Sequence, residues 1–170
     1  MKKLFILRHA KSSWNDPALA DFDRPLNERG FNAAPFIGEV IAKKRFLPDI
    51  ILSSPAKRAM QTATLVKEGA GSNAVIQYDE RIYEASPQAL RRVVSEIDEA
   101  SQFAMIVGHN PGIEGFIKYL TDSSERMPTA ALAVIVLGIK KWKDISPGCG
   151  TLEALIRPKE EMKAFSKSNP

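Results

Sequence analysis

Cysteine is nearly absent: the 170-residue chain holds one, Cys149. That excludes a disulfide framework within the chain and any cysteine-built zinc site. A lone thiol fits a reducing compartment. Histidine is as scarce, with only His9 and His109, which leaves little room for a histidine metal cluster. Long hydrophobic runs are missing as well. The longest, Ala130 to Ile139, is too short to cross a bilayer. The apolar start Leu4-Phe5-Ile6-Leu7 is cut by Arg8-His9 too early for a signal peptide. The expectation is a soluble, cytoplasmic protein without a membrane role. No glycine-rich phosphate loop occurs, neither Gly-x-Gly-x-x-Gly nor a Walker A pattern, and Gly108-His109-Asn110-Pro111-Gly112 is too short for either. No repeat, linker or low-complexity block appears. The basic residues are scattered rather than striped and not interleaved with aromatics, which argues against nucleic acid as a partner.

What is present is ordinary in bulk. A hydrophobic share of 44% and a charged share of 26% describe a globular chain. Its size, 18.8 kDa, suits one domain over residues 1–170 that folds without staples. A net charge of +4 means either a mildly basic surface or a positive site for anions.

Apolar runs predict strands at Lys3–Leu7, Ile50–Ser53, Val75–Tyr78, Phe103–Val107, Leu132–Leu137 and Leu152–Ile156. Between them lie helical patterns. Asn27–Phe46 carries Phe36, Ile37, Val40 and Ile41 on one face, with Pro35 marking a start or kink. Ser54-Pro55, Ser86-Pro87 and Asn110-Pro111 each read as a capping side chain followed by proline in the first turn. The second helix should stop at Gly69-Ala70-Gly71, the third should run to about Ala100, and a weak last helix follows Pro158. Residues 8–26 read as a long, irregular and therefore functional loop. Strands alternating with helices predict a single three-layer α/β/α domain with a mainly parallel sheet.

In such sheets ligands bind beyond the carboxyl ends of the strands. Arg8 and His9 follow the first predicted strand, Ser53, Ser54 and Arg58 the second, Glu84 the third and His109 the fourth. If those strands are parallel, two arginines, both histidines and one carboxylate meet in one cleft. Taken singly, each has a bland explanation: a surface charge, a satisfied structural histidine, a solvated helix residue, a polar loop. Together they form a set that suits a phosphate dianion, because guanidinium forks and helix-start amides bind one well.

The segments carrying these groups resemble the histidine phosphatase (phosphoglycerate mutase-like) superfamily. Leu7-Arg8-His9-Ala10-Lys11-Ser12 resembles its Arg-His-Gly signature, with Ala10 in the glycine's place. Ser13-Trp14-Asn15, Asp21 through Gly30, Ser53 through Ala63, and Gly108-His109-Asn110-Pro111 match in the same order, so the resemblance spans residues 3 to 139. The short length and the Asp23-Arg24-Pro25-Leu26 stretch look most like the SixA phosphohistidine phosphatases.

The resemblance implies a phosphoglycerate mutase-like fold and a phosphatase acting through a phosphohistidine enzyme intermediate without a cofactor or metal. His9 is the implied nucleophile. Arg8, Arg58 and His109 are implied around the phosphate oxygens, Asn15 as a further donor, and Glu84 as the proton donor to the leaving group. The implied substrate is phosphohistidine in a protein, carried by a phosphotransfer partner, and the chain is expected to be a monomer. Two alternatives stay open: a phosphomonoesterase or mutase for a small metabolite, and a catalytically silent domain that binds phosphohistidine.

Overall fold

The computed structural model describes residues 1–168. Its strands are β1 (Lys2–Arg8), β2 (Ile50–Ser53), β3 (Val75–Tyr78), β4 (Phe103–Gly108), β5 (Leu132–Leu137) and β6 (Gly150–Ile156). Its α-helices are α1 (Glu28–Lys43), α2 (Lys57–Ala70), α3 (Pro87–Ser95), α4 (Gly112–Thr121) and α5 (Pro158–Ser168). The strands form one sheet in the order β3-β2-β4-β1-β5-β6. β1, β4, β2 and β3 run parallel, β5 pairs antiparallel with β1, and β6 antiparallel with β5. The expected α/β/α domain with a mainly parallel sheet is what forms.

Strand side chains alternate between faces with period two, and β1 is apolar from Leu4 to Leu7 because both faces are covered there. Leu4 and Ile6 pack with Leu90, Val94, Phe116 and Ile117 of α3 and α4. Phe5 and Leu7 pack with Ile37, Ile41, Ala63 and Val66 of α1 and α2. Each buried Leu, Ile, Val or Phe among them contributes about 1.5–3 kcal/mol by burial. α1 and α2 approach closely enough to require glycine. A Cβ on Gly38 would lie 2.4 Å from the Val66 carbonyl oxygen, and one on Gly69 would lie 2.3 Å from that of Pro35.

Several boundaries differ from expectation, each for a local reason. α1 starts at Glu28, capped by Asn27, whose side chain accepts from the Gly30 N–H, and it runs on through Pro35. α3 stops at Ser95 rather than Ala100. Ser86-Pro87 is a true cap with proline in the first turn. The other two are not. Ser54 Oγ accepts from the Ala56 N–H and meets His109, so α2 begins only at Lys57. Asn110 donates to the Met127 carbonyl instead of capping, and α4 begins at Gly112. α2 does end as expected, with Gly71 in the left-handed conformation.

Candidate active site

The register of the sheet assembles the site. Arg8 pairs with Gly108, and Ser53 with Val107. The ladder then continues one step beyond the strands: the His9 N–H donates to the Gly108 carbonyl, and the Ser54 N–H to the Val107 carbonyl. The next residue on each chain, His9, Ser54 and His109, therefore stands side by side at the carboxyl edge. The two imidazole rings have centroids 5.1 Å apart, and His109 Nε2 is 2.8 Å from Ser54 Oγ.

His9 is 6% exposed, and its Nδ1 lies 2.7 Å from the Ala10 carbonyl oxygen. A carbonyl can only accept, so Nδ1 carries the proton and Nε2 keeps its lone pair. Burial, helped by His109, Arg58 and Arg8 and opposed by the Ala10 carbonyl, pushes the His9 pKa down to about 3. Burial, with Arg58 next in weight, brings His109 down to about 4, while Asp21 opposes the shift. Both rings are neutral at pH 7.

Thr62 holds the loop after His9 to α2. Its fully buried hydroxyl accepts from the Ala10 N–H at 2.9 Å and donates to the Arg58 carbonyl at 2.7 Å. Arg8 is held from the other side, where Nη1 donates to the Met127 carbonyl at 3.1 Å. The Ala130 N–H donates to the carbonyls of both Arg8 and His9.

Arg58, also 6% exposed, turns its fork toward the long loop. Nη1 donates to the Asp21 carbonyl at 2.7 Å and Nη2 to the Asp21 carboxylate at 2.9 Å. The same carboxylate accepts from Arg24 at 2.9 Å and from the Tyr83 hydroxyl at 2.8 Å. Burial works against its ionisation, but the Tyr83, Arg24 and Arg58 bonds outweigh it and hold Asp21 at about 2. Burial and the Asp21 bond together raise the Tyr83 hydroxyl to about 12.

A cleft of about 470 Å³ opens among Asp21, Arg58, Tyr83, Glu84, His109 and Asn110. Glu84 is exposed there and holds a left-handed backbone at φ 52°, a conformation costly for a residue with a side chain. Gly112 keeps this loop close, since a Cβ there would lie 2.2 Å from the Ala85 carbonyl oxygen. Three buried polar atoms have no partner within the described residues: Arg8 Nε, His109 Nδ1 and Asn110 Oδ1. All three sit around this edge, where a polar ligand could engage them.

Arg8, His9, Arg58 and His109 thus converge, with Arg58 and His109 lining the cleft that Glu84 borders. Asn15 is exposed on the loop, where its backbone N–H bonds Ser13 Oγ and its side chain makes no hydrogen bond among the described residues. Sequence reasoning assigned no role to Asp21, Arg24, Thr62 or Tyr83. The first three lie inside segments that carry the family resemblance, which was the available signal. Tyr83 had only its place beside Glu84. No group of three or more histidine, cysteine or acidic residues among the described residues could hold a metal ion. No described helix is long and apolar enough to cross a membrane.

An α/β edge that sets two imidazoles among arginines defines a class. The chain belongs to the histidine phosphatase superfamily (branch 1), which it matches over residues 4–106. Its relatives include Rv1276c, an uncharacterized protein of Mycobacterium tuberculosis, 33% identical over 90% of this chain and 100% of that one. Among solved structures it is similar to the "putative phosphohistidine phosphatase SixA" of Agrobacterium tumefaciens, at 30% identity and TM-score 0.80, covering 92% of this chain and 98% of that one. The SixA histidine phosphatase complexed with tungstate, at 19% identity and TM-score 0.77 over 94% and 99% of the two chains, shares the fold. So does a mycobacterial glucosyl-3-phosphoglycerate phosphatase, at 19% identity and TM-score 0.67 over 91% and 98%.

Proposed function

We propose that the chain is a metal-independent phosphatase that works through a phosphohistidine on His9 and removes phosphate from phosphohistidine in a partner protein. One observation carries the chemistry: Nδ1 of His9 is committed to the Ala10 carbonyl, which leaves Nε2 as a free lone pair among Arg8, Arg58 and His109. Nε2 attacks phosphorus in line, the bond from phosphorus to the leaving nitrogen breaks, and the departing imidazole takes a proton from solvent. Water then attacks the phosphohistidine, releasing orthophosphate and restoring the His9 lone pair. Phosphoryl transfer asks chiefly for positioning and charge stabilisation, which the two guanidinium groups supply. His109 gains a proton more readily once a dianion sits beside it.

The substrate class rests on the likeness to the Agrobacterium tumefaciens protein and on leaving-group chemistry. An imidazole departs more easily than an alkoxide, so the reaction depends less on a general acid. Glu84, exposed and without a side-chain hydrogen bond among the described residues, serves an ester only if a substrate draws it in.

The deciding experiment offers the purified protein a histidine-phosphorylated phosphotransfer domain and a panel of sugar phosphates. The expected result is a catalytic efficiency at least a hundredfold higher on the protein, with label trapped on His9 by rapid quench without acid. Equal or higher efficiency on a sugar phosphate would replace this reading with a small-ester phosphatase, and phosphoryl transfer to a second sugar would make it a mutase. Full turnover by His9→Ala would remove the nucleophile. Binding without turnover would leave a silent phosphohistidine reader.

A further inference from the structure

The net charge of the chain is +4, and it is not spread evenly. A cavity of about 540 Å³, within the size range of small-molecule sites, is lined by five cations, Lys11, Arg29, Arg126, Arg157 and Lys159, against one carboxylate, Glu160. The excess inside this one cavity equals that of the whole molecule. The five come from four parts of the chain: the loop after β1, the start of α1, the segment between α4 and β5, and the β6–α5 junction.

Only Arg157 is engaged. It lies 3.9 Å from Glu125 and from Glu160, and donates to the Arg126 carbonyl at 3.3 and 3.1 Å. The side chains of Lys11, Arg29, Arg126 and Lys159 have no ion-pair or hydrogen-bond partner among the described residues. Carboxylates are instead committed elsewhere: Arg81 takes both Asp79 and Glu96, while Arg24 and Arg58 share Asp21. Like charges facing one concave volume repel each other, and an entering anion relieves that repulsion.

We propose that this cleft is a second anion-binding site, for a small molecule bearing two or more phosphate groups. Charge matching sets the class. A phosphate carries about −1.5 to −2 at pH 7, so one cannot neutralise four unpaired cations and two can. The site shares no lining residue with the cleft at His109. Its wall nonetheless belongs to the segment that serves the nucleophile: Arg126, Pro128 and Thr129 flank Met127, whose carbonyl holds Arg8. The proposal does not depend on the chemistry at His9.

The test is calorimetric titration of the full chain with sodium tripolyphosphate, with orthovanadate present to occupy the catalytic cleft. One tripolyphosphate per chain is expected, with affinity falling as salt is raised. The double variant Arg29→Glu/Lys159→Glu should bind at least tenfold more weakly, with its circular dichroism and its hydrolysis of p-nitrophenyl phosphate unchanged. Inorganic monophosphate should bind at least tenfold more weakly than tripolyphosphate. No binding in the presence of vanadate, equal affinity in the double variant, or equal affinity for monophosphate would each overturn the assignment. Should the double reversal fail to fold, Arg29→Gln and Lys159→Gln take its place. Each should weaken binding about threefold, and no change in either would overturn the proposal.

Discussion

Arg58→Ala separates a rate effect from a stability effect more cleanly than any other change at this site. Its side chain is 8% exposed, and that of its Asp21 partner is 48% exposed. An ion pair with one half-exposed member is worth at most about 1 kcal/mol to the fold. Asp21 is also not stranded when Arg58 is lost, because Arg24 and Tyr83 still bond it. In the proposed reaction the transition state depends on Arg58 far more. A fixed donor aimed at developing charge is worth about 2.7–4 kcal/mol when deleted, or two to three powers of ten in rate. Asp21 engages both terminal nitrogens of Arg58, so part of that cation's charge is already answered, and the lower half of the range applies. We therefore expect kcat/KM on p-nitrophenyl phosphate to fall about one to three hundredfold, with the midpoint of thermal unfolding lowered by only a few degrees. Arg58→Lys should recover part of the loss, since it keeps charge without the fork. A loss below tenfold in Arg58→Ala would refute the reasoning and make Arg58 a structural partner of the loop. A large loss accompanied by a comparable loss of stability would refute the separation.

The two rings titrate in a chain with no other histidine, so their NMR signals are resolved and His109→Gln assigns them. Both should remain neutral as pH falls through 6.5 to 5, and phosphate should raise the His109 value; a ring that titrates near 6.5 in the free protein would contradict its burial. The sign for stability follows from folded values of about 3 and 4, which lie below the unfolded value near 6.5. The unfolded chain takes protons first, so stability is full above pH 6.5 and is lost as pH falls toward 4, at up to about 1.4 kcal/mol per pH unit for each ring. Chemical denaturation of His109→Gln should show about half of the histidine-dependent slope. Thr62→Val strands the buried Ala10 N–H and should cost about 1–3 kcal/mol in denaturant midpoint, with kcat reduced as the nucleophile's loop loosens; unchanged stability would show that water replaces the hydroxyl. Glu84→Gln should leave p-nitrophenyl phosphate turnover nearly intact while slowing an alkyl phosphate about 10²–10⁴-fold; equal losses on both would contradict the proton-donor role.

The order of elements was legible because apolar runs and polar breaks alternate along the chain. The common edge was legible because parallel strands put their carboxyl ends together. Residue pairs and cap details were less so. Ser54-Pro55 and Asn110-Pro111 have the same local chemistry as Ser86-Pro87, yet only the last caps its helix, since the other two polar side chains are drawn to His109 and Met127. That competition is tertiary and leaves no local mark. Asp21 was hidden for a related reason: nothing about an acidic residue in an irregular loop says that it will meet an arginine 37 positions away. Asn15 shows the converse, a motif residue whose side chain stays exposed on its loop without a hydrogen bond among the described residues.

A nucleophile surrounded by cations has to avoid two failures. If its ring were charged, it would have no lone pair to offer. If the cations were absent, the phosphate would not come. Burial resolves this at His9 because it penalises the protonated ring, and Arg8, Arg58 and His109 reinforce the effect instead of opposing it. In the proposed reaction the arginines that attract the dianion therefore also help burial to keep the His9 nitrogen free. The Ala10 carbonyl completes the arrangement by fixing the remaining proton on Nδ1, so the lone pair belongs to Nε2. Asp21 tempers the charge from outside, as a carboxylate that stays ionised beside Arg58 down to about pH 2. In the proposed reaction an entering phosphate shares Arg58 with it, which would limit how tightly product is held. Asp21→Asn should consequently lower the inhibition constant for orthophosphate several-fold in steady-state assays. A weaker grip on phosphate would mean that Asp21 serves to aim Arg58 rather than to restrain it.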